Sequence, residues 1–504
     1  MGLPCHRELR RRGRCRLTQE SDSVTQMVRV VIIGAGPGGL CLGIKLREAG
    51  YDDFVILEQA TGVGGTWRHN TYPGAACDIQ SHLYSYSFET KVDWTEAFAG
   101  QPEILDYFEH CAKKFGIEPH LRLNTEVRGA HWNDERKVWQ VVTDGETFEA
   151  EVLAGAVGMF AEPNWPDIPG LDTFAGTVFH SARWDHDHDL TGETVAVIGS
   201  AASAVQFVPT VAAQAGRLHH FQRSPQWVLP KFEGAYDEQQ REVFRTDPTA
   251  APTRRQELFE LVESVITFSN KEVMRAATEL ALQNLMVVED PAVRRKLTPT
   301  SPWGCHRPLS SNVYYPVFNL PHVELVTDAI ERIEGNRIVT ADGTERAVDT
   351  IVLGTGFATT RYLSVIEITG RDGQRLDEAW ADDAQAYLGI TTSGFPNLFM
   401  VYGPNTNNGS ILHMIECQVA YIIRQLEYLD REGLASMEVR PDVMARYNEE
   451  LQHDLDQIEV WQAACSGYYR GASGRIVTQW PHTMRDYAAR TSRPDADAYA
   501  VVTR

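Results

Sequence analysis

The chain has 504 residues, enough for two or three domains around a large buried core. Its hydrophobic share of 43% and charged share of 23% are those of an ordinary globular protein. A formal net charge of −21 argues against nucleic acid or an anionic membrane as the main partner, because both repel an acidic chain. In chain order, residues 1–26 come first. Arg7, Arg10, Arg11, Arg12, Arg14 and Arg16 crowd this stretch without an apolar core, so it is no secretory signal. The acidic Glu8, Glu20 and Asp22 do not suit an organellar transit peptide either. The segment reads as a disordered tail ahead of Met27.

The β-branched run Val28 to Ile33 predicts a buried parallel strand, followed at once by Gly34-Ala35-Gly36-Pro37-Gly38-Gly39 and a helix through Ala49. In such a turn Gly34 permits the tight bend and Gly36 lets backbone approach a pyrophosphate. Gly39 allows close packing of helix on strand. The free N–H groups and dipole of the helix N-terminus then favour phosphate. A second strand, Phe54 to Leu57, ends in Glu58, placed to accept ribose hydroxyls. The acid favours a free 2′-hydroxyl, hence FAD or NAD over NADP. Two patterned segments follow. One runs from Gly64-Gly65-Thr66-Trp67 through Tyr72-Pro73-Gly74 to Asp78, and the other from Phe174 and Gly176 through His180 to Trp184-Asp185.

A second strand-turn-helix begins at Thr194 and reads Gly199-Ser200-Ala201-Ala202-Ser203-Ala204 before Val205-Gln206. Ala201 replaces the middle glycine, so phosphate approaches less closely. The next strand, Leu218 to Phe221, ends near Arg223-Ser224 and carries no acid. A guanidinium there pairs with a 2′-phosphate, which selects NADPH over NADH. Residues 231–299 have apolar spacings of three and four and predict a helical insertion whose apolar stripes are core. Cys305-His306-Arg307-Pro308 comes next. No apolar run approaches the ~18 residues that span a bilayer. The eight cysteines form no CxxC pair, which predicts free thiols in a reducing cytoplasm. The run Asp185 to Asp189 alternates acids and imidazoles but reads as a solvated turn, so no metal site is expected. No GxSxG nucleophile motif occurs.

The two patterned segments, flanked by two nucleotide turns, resemble the type I Baeyer–Villiger monooxygenases, flavoproteins of the class B monooxygenase group. The resemblance covers residues 27 to 487. It includes Gly354-Thr355-Gly356-Phe357, Tyr387 to Ile390, Phe395 to Phe399 and Gly403-Pro404-Asn405. It implies an α/β fold of two Rossmann-like dinucleotide-binding domains with a helical insertion. FAD would lie in 27–160 and 357–504, and NADPH in 161–356, with the insertion at 231–299. Gly34, Gly36, Gly39, Glu58, Thr66, Trp67, Asp78, Tyr84 and Val127 would hold FAD. Gly199, Ser200, Ala201, Ser203, Ala204, Gln206, Arg223, Ser224 and His306 would hold NADPH. His306 stands where the family commonly has lysine, giving a weaker, pH-dependent phosphate contact.

The chemistry implied is insertion of one oxygen atom of O2 beside a ketone carbonyl, via a flavin C4a-peroxide, giving an ester or lactone. Arg307 would stabilise the negative charge of the peroxide anion and of its tetrahedral adduct with the ketone. Asp78 would hold Arg307 by a charge-assisted hydrogen bond. His180 would sit in the linker between domains. Tyr468, Tyr469 and Trp480 lie in a region where relatives place aromatics near substrate. The alternatives on the same scaffold are a sulfur- or nitrogen-oxygenating flavin monooxygenase and an NADPH–flavin oxidase.

Overall fold

In this computed structural model residues 25–381, 383–463, 467, 469–493 and 495–504 are described. The first strand, β1 (Thr25–Ile33), begins three residues earlier than expected, because Thr25, Gln26 and Met27 pair in parallel with Thr147, Phe148 and Glu149. The rest of the anticipated tail, and Tyr468, lie outside the described residues. From Val30 to Ile33 the strand is fully buried, and its apolar side chains pack on both faces of the sheet. The turn at Gly34 leads into helix α1 (Pro37–Glu48), with proline in its first turn where the missing N–H is not needed. The chain returns as β2 (Phe54–Leu57), parallel to β1 with Ile33 opposite Leu57.

This βαβ unit belongs to an eight-stranded sheet. Its other members on the far side of β1 are Thr147–Gly155, Val138–Thr143, Val127–Asn133 and Glu367–Thr369, while Leu121–Arg122 lies beyond β2. Leu398–Met400 pairs with Thr147–Gly155, so the chain returns to this sheet after building a second one. The second sheet has five strands, every pair parallel. Its central elements are β3 (Thr194–Ile198), helix α2 (Ala202–Gln214) and β4 (Arg217–Phe221). Ile198, Leu353 and His180 are level at the strand ends, and this register sets the second turn beside the linkers.

Two linkers join the sheets and pair with each other. Asn164 N–H donates to Gly356 O at 2.8 Å, Ala358 N–H to Glu162 O at 3.0 Å, and Pro163 bridges Phe357. Between β4 and the end of the second sheet stand helices α3 (Glu238–Thr246), α4 (Ala250–Val265), α5 (Lys271–Leu285) and α6 (Pro291–Leu297). They match the expected insertion, but they do not pack on one sheet alone. Tyr236, Leu258, Val262 and Ile266 join the core of the first sheet; Leu285, Val288 and Leu297 join that of the second. No helix among the described residues is long and apolar enough to cross a membrane.

Candidate active site

Positive φ at Gly34 (+101°) and Gly199 (+116°) forms the two turns. At both the backbone is crowded: an added Cβ would stand 2.7 Å from Ala156 O at Gly34 and 2.2 Å from Gly354 O at Gly199. Gly39 does not face the cavity, and its role is packing, since a Cβ there would meet Gly34 O at 1.9 Å. Ala204 is likewise fully buried behind the turn. Glu58, only 5% exposed, accepts Ala35 N–H and Ala60 N–H, each at 2.8 Å. Each carboxylate oxygen keeps a lone pair for a ribose hydroxyl.

A single cavity of about 1710 Å³ runs from this turn to the other. That exceeds the ~300–1,000 Å³ of a site for one small ligand. Its walls include Gly34, Gly36, Glu58, Thr66, Trp67, Asp78, Tyr84 and Val127 from the first half. From the second half come Gly199, Ser200, Ala201, Ser203, Gln206, Arg223, Ser224, His306 and Arg307. Trp67 donates Nε1–H to Tyr84 OH at 3.0 Å, and the rings meet edge to face at 5.7 Å. Burial raises the Tyr84 phenol well above its ordinary range, so it stays a neutral donor. Ser200 Oγ–H donates to Ser224 O at 3.0 Å and ties the second turn to the segment carrying Arg223.

Asp78 and Arg307 come from segments 229 residues apart (307 − 78) and meet at one wall, Arg307 Nη2 to Asp78 Oδ2 being 3.6 Å. This is an ion pair, not the hydrogen bond expected from the sequence, since 3.6 Å is too long for one. Arg307 is held from both sides. Leu309 pairs with Val228, and Trp461 Nε1–H donates to Gly304 O at 3.0 Å. Cys305, in the same segment, is disulfide-bonded, against the expectation of free thiols; Cys41, Cys77, Cys111 and Cys417 are free.

His180 is fully buried at the linker, and its Nδ1 accepts Ala182 N–H at 3.1 Å. Burial first of all pushes its pKa down to about 4, so the ring is neutral at pH 7. His186 bonds Thr71 Oγ1 at 2.7 Å, whereas His188 meets Glu193 at 3.1 Å and Thr350 at 2.8 Å. The two imidazoles thus face different partners. Sequence reasoning missed three cavity-lining cations, Arg183, Arg361 and Arg470. Arg183 stands inside the second patterned segment, where the signal was present. Arg470 follows a loose glycine-aromatic stretch that gave none.

A sequence model of the pyridine nucleotide-disulphide oxidoreductases matches residues 31–233. The chain is 42% identical to a Baeyer–Villiger monooxygenase of Streptomyces coelicolor over 96% of this chain and 94% of that protein. It is 41% identical to one of Pseudomonas aeruginosa, with the same shares covered. The chain belongs to the Baeyer–Villiger monooxygenases. Among solved structures, a closed form of cyclohexanone monooxygenase superposes with a TM-score of 0.86 at 30% identity, covering 95% of this chain and all of that one. A steroid monooxygenase bound to NADP gives 0.84 at 31%, with the same coverage.

As a Baeyer–Villiger monooxygenase the protein uses FAD and NADPH to place one oxygen atom of O2 next to a ketone carbonyl. The residues present fit both groups. Backbone lies open at Gly36 and Gly65, where a Cβ on Gly65 would stand 2.8 Å from Gly36 Cα and close the cradle. Both turns line one continuous cavity, which allows two nucleotides to meet within it.

Proposed function

We propose that residues 27–160 and 357–504 hold FAD and residues 161–356 hold NADPH, with Arg307 and Asp78 as the catalytic pair where the two sites meet. The observation that carries this is their 3.6 Å contact on the wall of a cavity shared by both nucleotide turns. When bound, FAD and NADPH supply the hydride and the oxygen transfer. The net change is ketone, O2, NADPH and a proton going to ester or lactone, NADP+ and water. The Arg307 guanidinium stabilises negative charge that develops on the carbonyl oxygen, and it cannot lose its own proton there because its pKa lies above ~12. Asp78 fixes the direction of that guanidinium. Trp67 and Tyr84 wall the flavin side, the Tyr84 hydroxyl staying protonated. Arg223, Ser224 and His306 bind the 2′-phosphate, and Glu58 the ribose of FAD.

Ketones are the proposed substrates, and cyclic ketones head the panel, since cyclohexanone is named for the structural neighbours. The cytoplasm is the proposed compartment; the free Cys41, Cys77, Cys111 and Cys417 fit it and the disulfide at Cys305 counts against it. The test is product analysis with heavy-isotope O2 over linear, cyclic and aryl ketones plus one sulfide. An ester or lactone carrying one heavy oxygen is expected, falling about 100–1,000-fold in rate in Arg307→Ala. Sulfoxide alone, or peroxide alone, would overturn the assignment of this pair.

A further inference from the structure

Gln206 lies in the second turn of α2, on the side of the molecule that carries Arg307, and its amide reaches across to the loop that carries Asp78. Its Oε1 accepts the Tyr72 hydroxyl at 2.9 Å and Ala76 N–H at 3.4 Å. Its Nε2 donates to Ala76 O at 3.0 Å. One side chain thus engages both backbone groups of one residue, as a β-bridge would. Contact extends to the backbone. Gly74 has φ +79°, and a Cβ there would stand 2.7 Å from Gln206 O. Next along α2, Phe207 packs edge to face on Tyr72 at 5.9 Å and against Trp184 at 5.4 Å. The residues touched in the first patterned segment are therefore Tyr72, Gly74 and Ala76, all within six positions of Asp78.

We propose that Gln206 is a positioning residue that sets Asp78 against Arg307 across the junction between the two sheets. Both lone pairs of its Oε1 and one Nε2–H are engaged by the loop, so the role proposed here runs through the loop and needs no contact with NADPH. This rests on the roles assigned to Arg307 and Asp78 above. The Asp78 loop belongs to one half of the molecule and Arg307 to the other, and a 3.6 Å contact across such a junction needs a fixed separation. Three polar groups of the loop, the Tyr72 hydroxyl and both backbone groups of Ala76, end on one side chain of α2 and supply it.

The test uses the holoenzyme with Gln206→Leu, which keeps the volume and removes donor and acceptor, and with Tyr72→Phe, which removes one bond. Ester formed per NADPH consumed should fall on the order of tenfold in Gln206→Leu, peroxide making up the difference, and less in Tyr72→Phe. The dissociation constant of NADP+, read from flavin absorbance, should stay within about threefold. Added to Asp78→Ala, Gln206→Leu should cost little more, because both act on one contact. Additive losses would overturn the proposal. So would an NADP+ constant weakened about tenfold with the ester ratio unchanged, the signature of direct cofactor contact. Should Gln206→Leu fail to hold FAD, Tyr72→Phe with and without Asp78→Ala gives the same cycle. Hydrogen exchange of peptides covering 72–78 supplies a readout independent of turnover. Faster exchange in Gln206→Leu is expected even if wild type forms no ester, a result that would sink the function proposed above but not this contact; unchanged exchange would sink the contact itself.

Discussion

Asp78 and Arg307 leave 19% and 37% of their side chains exposed, so their attraction is screened by water. A pair of that kind contributes about 0–1 kcal/mol to stability. Its proposed contribution is the direction of the guanidinium. Asp78→Asn is therefore expected to move the melting temperature little while lowering ester yield per NADPH about tenfold or more. Calorimetry and product counting on the same preparation separate the two effects, and a collapse of stability would return Asp78 to a structural role. His306 is the second residue where chemistry and sequence diverge. Replacing it with lysine adds a full charge beside the proposed 2′-phosphate site, and should lower KM for NADPH several-fold at pH 8 with little change for NADH. Both turns, and the places of Glu58 and Arg223 on the cavity wall, were legible because each signal is local: a strand, a turn and a residue at a known offset. The Asp78–Arg307 distance was not legible, because it depends on how segments 229 positions apart (307 − 78) are brought together. Gln206 was readable as part of the second turn, but its bonds to Tyr72 and Ala76, 134 and 130 positions away, were hidden for the same reason.

At the scale of elements, the helical insertion was anticipated from apolar spacing, yet its role as a bridge was not. Spacing says which face of a helix is buried and nothing about what covers it. The decisive contact is Arg255 of α4. Its Nη1 donates to His82 O at 3.1 Å, Leu83 O at 3.1 Å and Ser85 O at 2.9 Å. These carbonyls bracket Tyr84, whose hydroxyl accepts from Trp67 on the cavity wall. Burial lowers the pKa of this arginine, with Glu416 opposing the shift. Arg255→Met keeps the apolar stem but leaves buried acceptors without a donor, at a cost of about 3 kcal/mol. Limited proteolysis should then cut within 231–299 faster than elsewhere, and FAD should dissociate more readily. If cleavage stays uniform and flavin is retained, α4 does not anchor the Tyr84 segment.

For the whole molecule, charge is distributed against its average. A chain of net charge −21 lines one cavity with Arg183, Arg223, Arg307, Arg361 and Arg470. Glu58, Asp78, Glu126, Glu162 and Asp328 line it too, so the cavity wall is balanced in charge where the chain as a whole is acidic, and it repels an anionic nucleotide less than the rest of the surface does. The junctions around that cavity carry histidines held neutral. Burial, with Arg254 adding to it, pushes His82 down to about 4 where it packs on Tyr236 at 5.6 Å and Phe244 at 4.3 Å of the insertion. His413, against Phe259 of α4 at 5.1 Å, falls to about 4 through burial and Arg255. His180 at the linker falls to about 4 as well, chiefly through burial. Folded values below the unfolded value of about 6.5 mean that the unfolded chain binds more protons between pH 4 and 6.5. Stability is then complete above pH 6.5 and is lost as pH falls towards 4, at up to about 1.4 kcal/mol per pH unit for each histidine. Because His82 and His413 face the insertion and His180 the linker, acid should loosen these junctions before it melts the sheets. Small-angle scattering between pH 7 and 4.5 is expected to register expansion at a pH where far-ultraviolet circular dichroism is still native. Simultaneous loss of both signals would mean that these histidines are not what holds the halves together.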